Sequence, residues 1–336
     1  MNLIYLLLPV FLCTACSPIV KVHENERRPA MTERAEFCTP VTIGNIDEKG
    51  APAAQVYERP PQRVVAVWQN SIETLLALGV GDRIVAGMGV PDARYIRPAY
   101  RAAYEAIPYT SLENLDVETI LMMQPDLIVG WASTFSTKVL RSTAFWAGRG
   151  VHTYIAPSSA RGNKNKTIAG ECGDIENLGR IFAREERAAA LVQEMQDEIA
   201  YVRAQTAHME RRPRALVIEL MGKEIRSYGS DTLAGDMLRA LDAEHLAADG
   251  TSLSMEEILE LDPDAIFLVV VESDYGNEEA ITARLYDNPA LHSLSSIEQH
   301  RVYTVPLYAV YSAGIRTYDG ITIFAHGLYP EIYNMP

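Results

Sequence analysis

The chain has 336 residues, 48% of them hydrophobic, and it carries a formal net charge of −14. This length predicts two domains, each with enough apolar side chains for a sizeable core. The acidic balance argues against nucleic acid as a partner, because a negatively charged surface repels the phosphate backbone.

The N-terminus has the pattern of an export signal. An apolar run at residues 3–12 is too short to span a membrane, and it ends at Cys13-Thr14-Ala15-Cys16 before a polar stretch. The pattern resembles a bacterial lipoprotein signal at residues 1–16, with cleavage before Cys16 and a lipid on its sulfur, although no Lys or Arg precedes the apolar run. An ordinary secretory signal is the alternative. Either one predicts an extracytoplasmic protein, lipid-anchored to the cell membrane or periplasmic.

Residues 17–61 are polar and weakly periodic, which predicts a tether, although two short strands are possible at 41–45 and 55–57. Cys38 and Cys172 could pair as a disulfide in an oxidising compartment. In the mature chain no CxxC pair and no His-rich motif suggests a metal site, and no cofactor is expected.

Residues 62–167 alternate between short apolar runs and amphipathic segments, which predicts an α/β domain with a mainly parallel sheet. The predicted strands are residues 63–67, 83–87, 127–130 and 151–155, and the predicted helices are residues 72–78, 117–123 and 137–149.

Residues 168–209 carry apolar side chains at three- and four-residue steps, the stripe of an amphipathic helix. After Gly179 no Gly or Pro interrupts this stripe until Pro213. The pattern predicts one continuous helix, which is longer than a small domain needs and is suited to joining two of them.

Residues 210–336 resume the strand and helix alternation and predict a second α/β domain. The predicted strands are residues 214–220, 265–271 and 301–305, with a strand or turn at 224–229, and the predicted helices are residues 232–241, 255–261, 280–285 and 318–328.

An internal match relates the two domains. LDVETILMMQPDLIV at residues 115–129 aligns without a gap on LSMEEILELDPDAIF at residues 253–267. Ser254 and Glu257 form an S-x-x-E capping box, and Asp116 occupies the equivalent cap position. The match predicts two lobes that are pseudo-duplicates of each other.

The order and spacing of several segments resemble the bacterial periplasmic-binding proteins of ABC importers for ferric siderophores, haem and cobalamin, the class with a long bridging helix. The segments are RVVAVWQNSIETLLALGVGDRIVAG, VETILMMQPDLIVGW, NLGRIFAREERAAALV, EEILELDPDAIF and HRVYTVP. The resemblance implies an α/β fold of two three-layer lobes, joined by a long bridging α-helix, with a ligand cleft between them.

Ligands of α/β lobes bind outside the carboxyl ends of the strands, so the loops after the predicted strands are candidates for the cleft. Aromatic side chains there offer flat apolar surface with a polar tip. Arg316 could bind anionic oxygens, or it could form a structural salt bridge with Asp319 or a neighbour. The predicted ligand-binding residues are Trp68, Gln69, Asn70, Tyr95, Trp131, Tyr228, Tyr275, Tyr308, Tyr311, Arg316 and Tyr318.

Glu118 and Glu256 occupy the same position in the duplicated unit, each in the first turn of a predicted helix. The resemblance implies that one such glutamate per lobe meets arginines of the membrane permease. The alternative is a favourable interaction with the helix dipole alone, and Glu257 could take the place of Glu256.

These observations predict a solute-binding lipoprotein that captures a small-molecule iron chelate, a ferric siderophore, and delivers it to ABC permease subunits. Haem or cobalamin cargo is the alternative within the class, with Tyr95 or Tyr228 ligating haem iron as a phenolate. An enzyme is not expected, because the chain has neither a G-x-S-x-G elbow nor a P-loop, and its seven His residues do not cluster. An exported two-lobed enzyme and a structural lipoprotein are the alternatives from other classes.

Overall fold

The computed structural model describes residues 40–160, 162–163, 166–222, 224–247 and 252–333. The predicted signal, Cys16 and Cys38 lie outside these residues, so the lipid anchor and the disulfide stay predictions. Cys172 is buried, and burial raises the pKa of its thiol to about 11. Across the described ranges, the structure contains no helix with the length and apolar content needed to cross a bilayer.

The N-terminal lobe is built on a five-stranded parallel sheet preceded by a small hairpin. Its elements are β1 (Val41–Ile46), β2 (Pro52–Tyr57), β3 (Val64–Val67), α1 (Gln69–Ala77), β4 (Ile84–Met88), α2 (Arg101–Glu105), β5 (Thr110–Ser111), α3 (Val117–Met122), β6 (Leu127–Gly130), α4 (Thr143–Ala147) and β7 (His152–Ile155). The strand order is β5-β4-β3-β6-β7 with every neighbouring pair parallel, which confirms the predicted α/β sheet.

The β1–β2 hairpin shows that the last part of the predicted tether packs on the N-terminal lobe. Its two strands form their own antiparallel sheet. Two side-chain amides attach it to the outer strand β7. Asn45 exchanges hydrogen bonds of 2.8 and 2.9 Å with the backbone of Ile155. Gln55 donates to the carbonyl of Thr153 and accepts the N–H of the same residue at 3.1 Å. Because these amides pair the backbone groups of an edge strand, they also protect that edge from other chains.

The predicted helix at 137–149 is wrong in its first half. Residues 132–135 form a short 3-10 turn, and the α-helix covers only Thr143–Ala147. Arg141 adopts a left-handed conformation (φ 64°), which ends any helix before it. The side chain of Leu140 is fully buried and its carbonyl accepts a hydrogen bond from the indole of Trp146, so tertiary packing fixes this segment.

The segment between the lobes is two helices, α5 (Ile168–Ile181) and α6 (Glu185–Thr206), and the prediction of one uninterrupted helix is wrong. The break is a Schellman motif, in which the N–H of Arg184 donates to the carbonyl of Gly179 at 2.7 Å. Ala183 holds the left-handed position (φ 52°) that glycine usually takes, so the sequence carries no stop signal. Gly179 allows the helices to pack closely, because a Cβ there would lie 2.5 Å from that of Ala188.

The bridging helix α6 joins the two lobes through contacts near each of its ends. Near its start, Arg187 donates to the carbonyl of Ala77 at the end of α1, at 2.9 Å. Near its end, Arg203 donates to the carbonyl of Ala240 in the other lobe, at 2.7 Å. The long bridging helix of the prediction is therefore present as α6, with α5 packed beside it.

The C-terminal lobe contains a mixed sheet. Its elements are β8 (Arg214–Met221), β9 (Glu224–Ser227), α7 (Leu233–Ala240), β10 (Glu244–His245), β11 (Ser252–Leu253), α8 (Met255–Leu261), β12 (Ala265–Val270), α9 (Glu278–Tyr286), α10 (Ser295–Glu298), β13 (Val302–Pro306), α11 (Leu307–Val310), α12 (Thr317–Leu328) and α13 (Pro330–Tyr333). The order is β11-β9-β8-β12-β13, with β8, β12 and β13 parallel, β9 antiparallel to both of its neighbours, and β10 paired to β8 beside that path.

Both sheets are covered by apolar layers on their two faces. Along β8, Ala215 and Val217 face the layer that contains α5 and α6, whereas Leu216 and Ile218 face the outer layer of the C-terminal lobe. The strands of the N-terminal lobe alternate in the same way between that shared layer and their own outer layer. The inner apolar core thus runs without interruption from one lobe through the bridging helices into the other.

Candidate functional site

Two tryptophans that follow parallel strands of the N-terminal lobe stack on each other. Trp68 follows β3 and Trp131 follows β6, and their ring centroids lie 4.7 Å apart at an interplanar angle of 19°. The indole N–H of Trp68 donates to Thr134 Oγ1 at 3.1 Å, and that of Trp131 donates to Asn70 Oδ1 at 3.0 Å. Because both indoles are hydrogen-bonded, the position of the outer ring, Trp131, is fixed.

The backbone at Trp68 is strained. Its φ of 75° and ψ of 150° lie in a region that is almost restricted to glycine and that costs about 1–3 kcal/mol. The N–H of Trp68 donates to the carbonyl of Met88 at 2.7 Å, which holds the strained peptide in place. Gly89 packs beneath it, because a Cβ there would lie 3.0 Å from the Trp68 ring. Strain of this kind is concentrated at functional sites.

Two adjoining cavities lie where the lobes face each other. The larger cavity is about 810 Å³ and the smaller is about 340 Å³, both within the range of small-molecule sites. Lys166, Arg226 and Tyr311 line both of them. The Tyr311 ring, from the C-terminal lobe, meets Trp131 of the N-terminal lobe edge-on at 5.3 Å, so aromatic side chains of both lobes contribute to the walls.

Positive side chains gather around the larger cavity. Lys49, Lys166 and Arg226 line it, and the Lys166 ammonium lies 5.9 Å from the centre of the Tyr311 ring. Among the described lining residues the one carboxylate is Glu48. Burial acts to raise its pKa, but the hydrogen bonds that it accepts from Thr143 more than offset this and lower it. Arg226 also pairs with Glu219 at 3.8 Å, but three cationic side chains against one carboxylate in the described lining still favour an anionic ligand, in a chain whose formal net charge is −14.

The smaller cavity has more polar walls. The Tyr228 hydroxyl donates to Glu219 at 2.7 Å, and burial together with that carboxylate raises the pKa of Tyr228. A hydrogen bond of 3.0 Å between the hydroxyls of Ser158 and Ser312 joins the lobes at its wall. The smaller cavity therefore offers hydroxyl and carboxylate groups as hydrogen-bond partners for a ligand.

An ion-pair network crosses between the lobes away from the cavities. Arg316 of the C-terminal lobe forms a bidentate pair with Glu73 of α1, at 2.6 and 2.9 Å, and it also contacts Asp319 at 2.6 Å. Arg97 of the N-terminal lobe pairs with Asp319 at 2.6 Å. Burial acts to lower the pKa of Arg316, but Glu73 more than offsets this and raises it. We call Glu73, Arg97, Arg316 and Asp319 the interlobe ion-pair network.

Four of the five N–H donors of Arg316 are occupied within the protein, because a second Nη2 donor bonds the carbonyl of Tyr95 at 2.7 Å. The side chain is 8% exposed. Of the two roles predicted for Arg316, its contacts match the structural salt bridge. Its partners are Asp319 and also Glu73, which lies 243 positions away in the sequence.

Tyrosines pack around the interlobe ion-pair network. The ring centroids of Tyr95 and Tyr275 lie 4.9 Å apart, and those of Tyr275 and Tyr308 lie 5.7 Å apart. The central carbon of the Arg316 guanidinium lies 4.6 Å from the centroid of the Tyr308 ring. Burial raises the pKa of Tyr275 and of Tyr308. These residues close the interface between the lobes on this side.

The structure divides the predicted ligand-binding residues into two groups. Trp131, Tyr228 and Tyr311 line the cavities, with Trp68 and Asn70 holding Trp131. The others belong to the interlobe ion-pair network or pack around it, and contact between them and a ligand stays a prediction: Gln69, Tyr95, Tyr275, Tyr308, Arg316 and Tyr318. Sequence reasoning missed Lys49, Lys166 and Arg226, which stand far apart in the chain and belong to no local motif.

A pair of buried acids lies behind the cleft on α5. Glu171 Oε2 accepts the N–H of Gly314 from the C-terminal lobe at 2.7 Å, and Asp174 Oδ1 accepts the hydroxyl of Tyr154 at 2.8 Å. Burial raises the pKa of Glu171, and burial together with the charge of Glu171 raises the pKa of Asp174. Burial thus favours the protonated form of each side chain over its charged form.

Replacing Asp174 with Asn is expected to stabilise the protein more at pH 8 than at pH 4. Since the folded-state pKa is raised, the unfolded chain releases a proton that the folded one keeps, and stability falls as pH rises above the unfolded value of about 4. Asn keeps an oxygen for the Tyr154 hydroxyl but does not titrate. Thermal melts should show the variant a few degrees above wild type at pH 8, since about 2–4 °C corresponds to each kcal/mol. An equal difference at both pH values would contradict this assignment.

Glu118 and Glu256 are exposed in the first turns of α3 and α8. Asp116 caps α3 by accepting the N–H of Thr119 at 2.8 Å, and Ser254 and Glu257 form the predicted capping box. Glu257 is thus engaged at the helix cap, which leaves Glu256 as the better match to Glu118. Docking by either residue stays a prediction.

Several known proteins resemble this chain. A family model described as periplasmic binding protein matches residues 64–309. A crystal structure of a periplasmic binding protein from Veillonella parvula DSM 2008 has 46% sequence identity and a TM-score of 0.84, covering 89% of this chain and 94% of that one.

Two curated relatives match over most of their length. A protein of Bacillus subtilis (strain 168), named an uncharacterized ABC transporter substrate-binding lipoprotein YvrC, is 25% identical and covers 88% of this chain and 87% of its own length. The achromobactin-binding periplasmic protein of Dickeya dadantii (strain 3937) is 26% identical and covers 76% of this chain and 82% of its own.

Proposed function

Because the chain belongs to the periplasmic binding protein family, we propose that it is the substrate-binding subunit of an ABC importer and that its cleft takes an anionic ferric siderophore. The family is a transport class and not a class of enzymes. The resemblance seen in the sequence is therefore confirmed at the level of the family, whereas the ligand, the location and the lipid anchor are proposed.

The lining of the larger cavity is the observation that carries this proposal. Its volume of about 810 Å³ suits a chelate of siderophore size, and the partly exposed Trp131 supplies flat apolar surface. Lys166 and Arg226 supply charge-assisted hydrogen bonds to anionic oxygens. A relative that is named for binding achromobactin supports the same class of ligand.

Haem is the less favoured ligand because of the state of Tyr228. A phenolate that ligates iron must lose its proton, but burial and Glu219 raise the pKa of this hydroxyl. Its proton is also donated to Glu219 at 2.7 Å. Relatives named vitamin B12-binding proteins, at 21–22% identity, keep cobalamin among the ligands to be tested.

Binding measurements with ferric tricatecholate, ferric citrate, neutral ferric trihydroxamate, haem and cobalamin test the proposal. The anionic ferric chelates are expected to bind most tightly. Lys166→Met should weaken their binding by about ten- to a hundredfold, because it removes a charged hydrogen-bond donor worth about 1.5–3 kcal/mol. Arg226→Met should weaken it by about three- to tenfold, because the Arg226 side chain is 60% exposed and already pairs with Glu219. Lys138→Met is the matched control, since Lys138 is exposed in the N-terminal lobe and lines neither cavity.

The outcomes separate the ligand classes. Saturable binding of haem or cobalamin alone would overturn the siderophore assignment and leave the binding-protein role intact. Binding of ferric chelates that is equally strong in the Lys166→Met, Arg226→Met and Lys138→Met proteins would place the ligand outside the larger cavity.

The proposal includes an extracytoplasmic location with a lipid anchor on Cys16. The apolar run before this cysteine and the polar residues after it support the anchor, as does the lipoprotein name of the Bacillus subtilis relative. Membrane fractionation of a Cys16→Ala protein checks it, because sedimentation with membranes at the wild-type level would argue against lipidation.

A further inference from the structure

The β1–β2 hairpin reaches the larger cavity although it precedes the family region at 64–309. Its turn contributes Glu48 and Lys49 to the cavity lining, opposite the Arg226 and Tyr311 side chains of the C-terminal lobe. The ligand site of the family region is thus extended by a segment that lies outside that region.

The turn of the hairpin is rigid by its own hydrogen bonds. Asp47 Oδ1 accepts the N–H groups of Lys49 and Ala51 at 2.9 and 2.8 Å, and the N–H of Asp47 donates to the carbonyl of Ala51 at 2.8 Å. Gly50 takes the left-handed conformation (φ 83°) that closes the turn. The backbone of Lys49 is therefore held in one orientation.

A second set of contacts fixes the hairpin to the N-terminal lobe. Glu48 Oε2 accepts from the N–H and the hydroxyl of Thr143, at 3.1 and 2.7 Å, at the start of α4. With the Asn45 and Gln55 contacts to β7, the hairpin is attached at its turn and along both strands. A flexible tether would not need these contacts with the lobe. They hold Lys49 at the wall of the cavity.

We propose that the hairpin is part of the ligand-binding surface, with Lys49 as a third positive contact for the anionic ligand and Glu48 as the positioning residue. This inference rests on the proposed function. Lys49 is exposed, so its ammonium reaches the ligand from the solvent side, whereas Lys166 lies deeper and is half-buried. The hairpin would then select anionic over neutral chelates of the same size.

Titration of the full chain with ferric tricatecholate and with neutral ferric trihydroxamate tests this role. Lys49→Gln is expected to weaken tricatecholate binding by about three- to tenfold, as for a partly exposed charge, and to leave trihydroxamate binding unchanged. Lys49→Arg should retain affinity and Lys49→Glu should lose more than Lys49→Gln. The loss should shrink at high salt because exposed charges are screened.

Thr143→Val keeps both Lys49 and Glu48, and it removes the hydroxyl that donates to Glu48 Oε2, so it loosens the turn without changing the charge of the cavity. It should weaken tricatecholate binding in the same direction while the melting temperature of the protein stays close to that of wild type. Lys138→Gln is the control for removing one exposed positive charge from the N-terminal lobe.

The results distinguish this inference from the proposed function. Wild-type protein that binds none of the anionic chelates would defeat the proposed function and the inference together. Binding that depends on Lys166 and Arg226, but responds to Lys49→Gln no more than to Lys138→Gln, would overturn the hairpin's role alone.

Discussion

Glu73→Ala is expected to destabilise the protein by about 3–5 kcal/mol, because it leaves the Arg316 guanidinium buried without its main partner. Glu73 is fully buried and accepts four hydrogen bonds, two of them from Arg316. Equilibrium denaturation in urea measures the change. At about 2–4 °C for each kcal/mol, the melting temperature should fall by on the order of 10 °C.

A double variant separates the lost partner from the lost packing. Glu73→Leu with Arg316→Met replaces both charges with apolar groups and should recover most of the stability, since buried ion pairs often break even against apolar replacements. Asp319 keeps its pair with Arg97 in that variant. A change below about 1 kcal/mol in Glu73→Ala would show that Arg316 is solvated in solution and that the lobes separate there.

Glu118→Ala and Glu256→Ala are expected to reduce transport while ligand binding stays intact. Both carboxylates are exposed at helix starts in matching positions of the two lobes. Exposed charges of this kind mainly affect how fast and in which orientation the protein docks on its permease, and they have little effect on ligand affinity in the distant cleft. Each variant should reduce uptake by about two- to tenfold, and the double variant should reduce it further, with a salt dependence typical of screened charges.

Paired ligand titration and cellular uptake on the same variants provide the measurement. Glu279→Ala is the matched control, since Glu279 is exposed on α9 of the C-terminal lobe and is outside the duplicated unit. Normal uptake in the double variant would show that both glutamates only stabilise the first turns of their helices. Loss of ligand binding would instead mean that these residues support the cleft.

The candidate site was only partly predictable from the sequence. The rule that ligands bind beyond the carboxyl ends of parallel strands selected Trp131 and Tyr311, which line a cavity, whereas their contact with a ligand stays a prediction. The type of residue alone could not separate them from Tyr95 and Tyr275, which follow the same rule and pack against each other beside the interlobe ion-pair network.

The sequence by itself determined the elements whose signals are local. Strand β6 at Leu127–Gly130 and helix α8 at Met255–Leu261 have the predicted bounds, because apolar runs, a capping box and a Pro-Asp break act within a few residues. The alternation of such units along the chain is sufficient to specify two α/β lobes.

Only the tertiary structure decided the break at Ala183, the Glu73–Arg316 pair and the positive lining of the larger cavity. The break depends on the close packing of Gly179 against Ala188 of the next helix, and its left-handed position is held by Ala183, where a glycine would have signalled it. The ion pair joins residues 243 positions apart, and Lys49, Lys166 and Arg226 come from the hairpin, the start of the bridge and the C-terminal sheet. Contacts between such distant segments follow from how the two sheets and the bridging helices pack, and local residue patterns carry no information about them.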